Sequence, residues 1–502
     1  MDNKLKQYVD KFNRNDEEII KQHIENEKAY EWLKKNISLL ECPDPEVEET
    51  YYFRWWAYRK HIKNTPEGFI VTEFLPDVYW AGKYNSINCA VGHHLYEGRW
   101  LKNGSQYMED NIRFWLKGSG DIRSYSTWIA DAIYQYCLVH GDFNIALKLL
   151  PEMENNFSQW EKEHQHESGL FWSIDDRDAM EYSISGNGLR PTLNSYMYAD
   201  AMAIGKIAQM NGDDDAAVYL EKAEQIKQLV QQRLWDDKDG FFKVMPLNDI
   251  NDKVTDWSFK KVPFKRNARE QIGFIPWYFN LPDKGYEKAW EQLIRPDGFA
   301  APYGPTTAEQ RHSRYNYEQF DHECLWNGPS WPYATSQTLT AMANLLKHYT
   351  QNFVTKDDFY HIFLSYTHSH YRINENGERV NWLDENLDPY SGEWLSRKIL
   401  KGWGWKAEKG GYERGKDYNH STYADIVINK IFGVEPLENG KVRINPMLPR
   451  QWSYCKLQGV MCQKKEISII YDVTGEKFNK GFQVWCDRKL IHQSDKPEMV
   501  MI

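Results

Sequence analysis

Hydrophobic positions recur at helical spacing over most of the chain. Trp128, Ile129, Ala132, Ile133 and Tyr136 fall on one stripe. Ala201, Ala203, Ile204, Ile207 and Ala208 form a second, and Ala216, Leu220, Ala223, Ile226 and Val230 a third. Residues 1–60 also read as helical. The pattern changes near Gly433-Val434-Glu435-Pro436. Beyond it, Glu466 to Tyr471 and Gly481 to Trp485 alternate with the period of strands.

Glycines punctuate the helical part at a fixed interval. Gly141 and Gly212, each followed by Asp, lie 71 residues apart, and so do Gly169 and Gly240, each followed within two residues by Phe. Looser echoes occur at Gly298-Phe299 and Gly377. The Gly of each Gly-Asp turn suits a left-handed helix cap, and the Asp suits the start of the next helix. The unit is helix, short turn, helix, Gly-aromatic return, long loop. An open solenoid would have compact turns on both sides. Here one set of connections is long and rich in Trp, Tyr, Asn and Asp, which marks a functional rim. The predicted fold is mainly α, an (α/α)6 toroid with a small C-terminal β region. The expected division is a helical segment over 1–60 packing on the barrel, the barrel over 61–435, and strands over 436–502.

Composition narrows the function classes. Aromatic residues make 15% of the 502, which excludes intrinsic disorder. A formal net charge of −10 argues against a nucleic-acid partner. No apolar run approaches the ~18 residues of a membrane span, so no membrane partner is expected. Met1 to Glu18 are charged throughout, unlike a signal peptide, and the seven cysteines form no C-x-x-C pair. These features predict a cytoplasmic protein without metal or cofactor. Its oligomeric state stays open.

The alternation of turn types puts all long loops on one rim. The first, Phe74 to Trp100, holds Trp80, Lys83, Asn85, His93, His94, Glu97 and Arg99. The second holds Trp172, Asp175, Asp176, Asp178 and Glu181. The third runs from Tyr303 to Trp326-Asn327-Gly328-Pro329-Ser330-Trp331-Pro332. The fourth spans Asn381 to Trp394 and includes Trp382, Asp384, Glu385, Asp388 and Glu393. Carboxylates among Trp, Tyr, Asn and Arg suit a sugar: aromatic faces stack on C–H faces, and polar groups pair with hydroxyls. Two carboxylates flanking a glycosidic bond would hydrolyse it. Plainer readings exist. The Asp175-Asp176-Asp178 turn could be solvated or bind calcium, although its spacing is not that of an EF-hand. His93 and His94 are adjacent on a helix and point apart, so a structural or hydroxyl-binding role fits better than a metal pair. Glu393 could simply pair with Arg397.

These loops resemble the inverting (α/α)6 glycosidases of glycoside hydrolase family 63 and the trehalase type, closest to the bacterial mannosylglycerate-hydrolase-like branch. Glu385-Asn386-Leu387-Asp388-Pro389-Tyr390-Ser391-Gly392 is similar to that branch's general-base motif, which implies Glu385 as base. Ala179-Met180-Glu181-Tyr182-Ser183, followed by Thr192-Leu193-Asn194-Ser195-Tyr196, takes the place of the acid motif. That implies Glu181 as acid where the family has Asp, with Asp178 the alternative. The Trp326-to-Pro332 run resembles a pocket-lining element, and Asp417 to Asp425 resembles the segment that closes the barrel. The resemblance implies an exo-acting, inverting hydrolase of a small α-glucoside or α-mannoside. Its substrate-binding set would be Trp80, Lys83, Asn85, Trp172, Arg190, Asn194, Tyr303, Trp326, Asn327, Trp331, Trp382 and His420. Rivals are α-L-rhamnoside specificity on the same toroid, an epimerase or isomerase using His93, His94 or His420, and a sugar-binding module with a dead site.

Overall fold

A computed structural model describes residues 1–247, 258–316 and 322–502. Its helices are α1 (Asp2–Arg14), α2 (Ala29–Asn36), α3 (Pro45–Lys60), α4 (Val91–Gly98), α5 (Ser105–Leu116), α6 (Ile129–His140), α7 (Asn144–Lys148), α8 (Leu150–His164), α9 (Pro191–Asn211), α10 (Ala216–Arg233), α11 (Ile275–Tyr278), α12 (Pro332–His348), α13 (Lys356–His368) and α14 (Leu395–Gly402). A 3-10 segment, Glu287–Ile294, and a π-helical segment, Ile426–Ile431, complete the ring.

The inner ring runs α4, α6, α9, α11, α12 and Ile426–Ile431, each packed on the next. Burial explains the choice. All eight residues of α4 are buried, and α6, α9 and α12 are buried over most of their surface, whereas α10 buries a single stripe. Outer elements α3, α5, α8, α10, Glu287–Ile294 and α13 precede their inner partners in turn, giving six hairpins and the (α/α)6 toroid. The ring closes by polar contacts. Glu97 at the end of α4 accepts hydrogen bonds from the backbone N–H of Tyr423, Ala424 and Asp425 at 2.8–3.2 Å. Arg99 pairs with Asp425 at 2.7 Å. These N–H groups open the last inner segment, so the buried carboxylate satisfies donors that the segment itself cannot.

The glycine markers fall where the 71-residue offset puts them. Gly141 and Gly212 end inner helices α6 and α9 in the left-handed conformation, with φ of 61° and 71°. Asp142 and Asp213 accept from the backbone two residues on, forming Asx turns rather than direct helix caps. Short turns therefore follow inner helices. Long loops precede them, and Pro191 and Pro332 open two of these helices after such loops. All long loops thus meet at the N-terminal ends of the inner helices.

On the N-terminal side, α1 and α2 pack on α3. The buried Lys60 at the end of α3 bridges Asp16 at 2.9 Å and Asp417 at 2.5 Å. The C-terminal strands Tyr454–Cys462, Lys465–Asp472, Gly481–Cys486 and Lys489–Ser494 form an antiparallel sheet. A strand from the N-terminal segment, Leu39–Glu41, adds to its edge opposite Gln458–Lys456, a pairing invisible to local periodicity. Among the described residues no helix is long and apolar enough to cross a membrane.

Candidate active site

Glu181 sits on a loop held at both ends. Trp172–Ser173 pairs with Gly188–Leu189, and between them Asp176–Asp178 makes a 3-10 turn. Ala179 and Tyr182, on either side of Glu181, adopt positive φ of 57° and 61°, a conformation that non-glycine residues hold only when surroundings enforce it. The surroundings are explicit. Buried Asp178, the last residue of the turn, accepts from Arg190 Nε at 2.6 Å, from Ser126 at 2.5 Å and from Thr192. The Glu181 carbonyl accepts from the Trp326 N–H at 3.1 Å, tying this loop to the next.

Glu385 is held from three directions. Leu387 exchanges two backbone hydrogen bonds with Ser330 at 3.0 Å, fixing the loop on the Trp326–Trp331 run. The Asp384 carboxylate accepts from the Glu385 N–H at 2.8 Å and from Ser396 at 3.1 Å. Arg414 donates to Glu385 and, at 2.5 Å, to Glu323, while the Cys324 thiol donates to the second Glu385 oxygen at 3.1 Å. Lys409 reaches Glu323 at 3.1 Å.

A third carboxylate, Glu73, accepts from the Tyr418 hydroxyl and from the Cys89 thiol at 3.2 Å. Glu73, Glu181 and Glu385 line one cavity of about 290 Å³, walled by Trp80, Trp326, Trp331, Tyr333 and His420. Trp326 and Trp331 are stacked, with centroids 4.5 Å apart. A second cavity of about 370 Å³ adjoins it, sharing Glu181, Asp176 and His322 and adding Asn327 and Arg314.

The electrostatics separate these acids from ordinary ones. Burial, reinforced by the charges of Asp176, Glu385 and Asp175, pushes Glu181 up to about 8. Burial pushes Glu385 up to about 7, with Arg414 opposing and Asp384 and Glu323 adding. Glu73 rises to about 7 for the same first reason, against its hydrogen bonds from Tyr418 and Cys89. Glu323 is also desolvated, yet Arg414 holds it down to about 2. Burial keeps His420 well below the usual imidazole range, so it faces the cavity neutral.

The expected binding residues divide. Trp80, Trp326, Trp331 and His420 line the main cavity, and Asn327 lines its neighbour. Seven others lie elsewhere. Lys83 is on the surface, paired with Glu67 at 2.6 Å. The Asn85 amide ties Phe74 and Pro76 carbonyls together. Trp172 packs on His164. Arg190 is buried against Asp178, and Asn194 binds the Phe171 backbone at both its N–H and its carbonyl. Trp382 lies under Arg372, its indole N–H on Asp384. Tyr303 opens onto a different cleft. Asp178 does not line the cavity, because its oxygens serve Arg190, Ser126 and Thr192. In the acidic turn Asp175 accepts from Ser183 at 3.3 Å and Asp176 faces the cavities, and among the described residues no group of three or more His, Cys, Asp or Glu is arranged to hold a metal ion. His94 donates from Nε2 to the Asn419 carbonyl at 2.7 Å, and His93 is packed between Trp128 and Tyr333, so neither lines the cavity. Lys398, not Arg397, pairs with Glu393 at 2.7 Å, while Arg397 pairs with Glu413.

Sequence reasoning missed Glu73, Cys89, Glu323, Cys324, Arg414 and Tyr418. Glu73 immediately precedes the first rim loop, a position that could have drawn notice. Arg414 carries no local signal.

A family model described as the mannosylglycerate hydrolase MGH1-like glycoside hydrolase domain matches residues 83–421. The chain belongs to this family. The matched span contains Glu181, Glu385 and Arg414, but Glu73 lies before it. Among solved structures, one named "Sialidase" is 36% identical, with a TM-score of 0.90 over 100% of this chain and 44% of that one. The chain thus spans less than half the length of that relative. A GH78 family rhamnosidase of Bacillus sp. GL1 is 11% identical, with a TM-score of 0.53 over 89% of this chain and 41% of that chain. An α-L-rhamnosidase of Streptomyces avermitilis, solved with L-rhamnose, is 14% identical, with a TM-score of 0.50 over 90% and 37%. At these identities the two rhamnosidases share the fold of this MGH1-like domain.

Proposed function

We propose that this chain is an exo-acting, inverting glycosidase of small α-glycosides, with Glu181 as general acid and Glu385 as general base. One observation carries the reading. Two carboxylates from different rim loops face one aromatic-walled cavity, and their environments set different proton affinities. A group near 8 is protonated at neutral pH and can give its proton to a leaving oxygen. A group near 7, oriented by Arg414 and Asp384, can ionise and draw a proton from water. Trp80 and the stacked Trp326–Trp331 pair supply faces for a sugar ring, and neutral His420 supplies a hydroxyl partner. The small cavity suits a single terminal ring better than a long chain.

The pH profile tests the assignment. The base must be ionised, so kcat/KM falls as pH drops through about 7. The acid must be protonated, so it falls again as pH rises through about 8. A narrow bell between these limbs is expected on the aryl α-glucoside, α-mannoside or α-L-rhamnoside that a substrate screen selects. A rate that is flat from pH 5 to 10 would overturn the pairing. Proton NMR of the first-formed anomer tests inversion.

A further inference from the structure

A larger cleft, about 760 Å³, lies between α13, the hairpin of Tyr371–Ile373 with Arg379–Asn381, the Tyr303 loop and α14. It shares no lining residue with the catalytic cavity. Five side-chain cations line it: Arg372, Arg379, Arg397, Lys398 and Lys401. The carboxylates lining it are Glu46 and Glu393.

Four of the five cations are committed. Arg379 pairs with Glu46 at 2.5 Å, Arg397 with Glu413 at 2.5 Å, Lys398 with Glu393 at 2.7 Å and Lys401 with Glu375 at 3.4 Å. Arg372 differs. Its guanidinium lies over the Trp382 indole, 4.0 Å from the ring centroid. Its side-chain hydrogen bond is a 3.5 Å contact to the Ile373 carbonyl, and its buried Nε has no partner among the described residues. No carboxylate among the described residues comes within ion-pair distance of it. Glu413, the acid that most offsets its charge, is already taken by Arg397, which sits close enough to repel it. A half-buried, planar, five-donor cation held over an indole face and left without an anion among the described residues suits a planar or tetrahedral oxyanion. The ring of half-buried Tyr303 in the same cleft adds a face for an apolar ring surface.

We propose that this cleft is a second saccharide-binding site that takes an acidic sugar, its carboxylate or sulfate ester engaging Arg372. The proposal is independent of the roles of Glu181 and Glu385. A bound acid group would pair the Arg372 charge through the terminal guanidinium nitrogens, while Lys398 and Lys401, in exposed ion pairs at the rim, would add to the positive field that draws anionic chains toward it. Neutral saccharides could offer that guanidinium only hydroxyl acceptors, which leave its charge unpaired.

The test is isothermal titration of the full chain with tri-galacturonate, using maltotriose as the neutral counterpart of equal length. Tri-galacturonate should bind at least ten-fold tighter than maltotriose, and added salt should weaken it. Arg372→Gln should lose ten-fold or more of that affinity, and Arg372→Lys, which keeps the charge without the fork, should fall between. Glu181→Gln should bind as the parent does, because its cavity is separate. Unchanged melting temperatures would show that the Arg372 variants are folded; Lys401→Gln, at the exposed rim, gives a smaller loss that does not depend on them. Equal binding of the two trisaccharides, no binding of either, or tri-galacturonate affinity untouched by Arg372→Gln would overturn the proposal.

Discussion

Glu181 keeps its proton near neutrality because it is buried and because Asp176 stands beside it. Asp176→Asn removes one negative charge and keeps the shape. The alkaline limb of the pH profile should then move to lower pH by a fraction of a unit, with the acid limb nearly fixed. An unmoved alkaline limb would mean that another group sets it. Arg414 works in the opposite sense on Glu385. Arg414→Lys keeps a charge but loses the fork that spans Glu323 and Glu385, so kcat/KM should fall about 10–100-fold with a smaller loss of stability. Arg414→Met would leave buried Glu385 without a cation and Glu323 with Lys409 alone, and should destabilise the fold by about 3–5 kcal/mol, read by denaturant titration. Gly415, next to it, marks how tightly these segments meet. A Cβ there would stand 1.8 Å from Asp384 Oδ1, so Gly415→Ala must displace the Asp384 carboxylate that holds the Glu385 N–H.

Among the elements, the glycine markers were the most legible feature of the sequence. A 71-residue offset survives because each inner helix must stop and reverse at the same depth of the ring, and a left-handed residue does this in one step. Gly212 isolates that requirement. Its φ is 71° and nothing lies within 4 Å of an added Cβ, so Gly212→Ala should cost about 1 kcal/mol from backbone conformation alone. A neutral substitution, measured by chemical denaturation, would show that the cap is not strained. The loop residues were only half legible. The Glu385 and Trp326–Trp331 loops could be read because their chemistry is contiguous. Lys83, Asn85, Trp172 and Asn194 sit in the right segments, yet their side chains turn to Glu67, to His164 or to local backbone. Periodicity says which segment reaches the rim, but a loop has no period to say which side chain faces inward. Glu73 was illegible for another reason. Its partner Tyr418 is 345 residues away, and their meeting depends on the ring closing.

The whole molecule joins its first and last segments twice. The ring closes through Glu97 on the N–H groups of Tyr423 to Asp425, and the C-terminal sheet takes its edge strand from Leu39–Glu41. Gln463 adds a third contact, bonding the Val139 and Leu138 carbonyls at the end of α6. Barrel and sheet should therefore melt together. Calorimetry should give one transition, and Glu97→Ala, which strips acceptors from buried N–H groups, should lower it by several degrees without splitting it. Two separated transitions would mean that the sheet is an independent unit. The toroid's main consequence is that it gathers Glu73, Glu181 and Glu385, from three well-separated stretches of the chain, into one aromatic cavity. The most direct test of that reading is turnover of Glu181→Gln and Glu385→Gln on glycosides with poor and good leaving groups. Glu385→Gln should be inactive on both, because no leaving group replaces the base. Glu181→Gln should lose an alkyl glycoside by several orders of magnitude and largely keep a 2,4-dinitrophenyl glycoside, which needs no acid. Near-parental turnover by Glu385→Gln, or equal loss by Glu181→Gln on both substrates, would contradict the account.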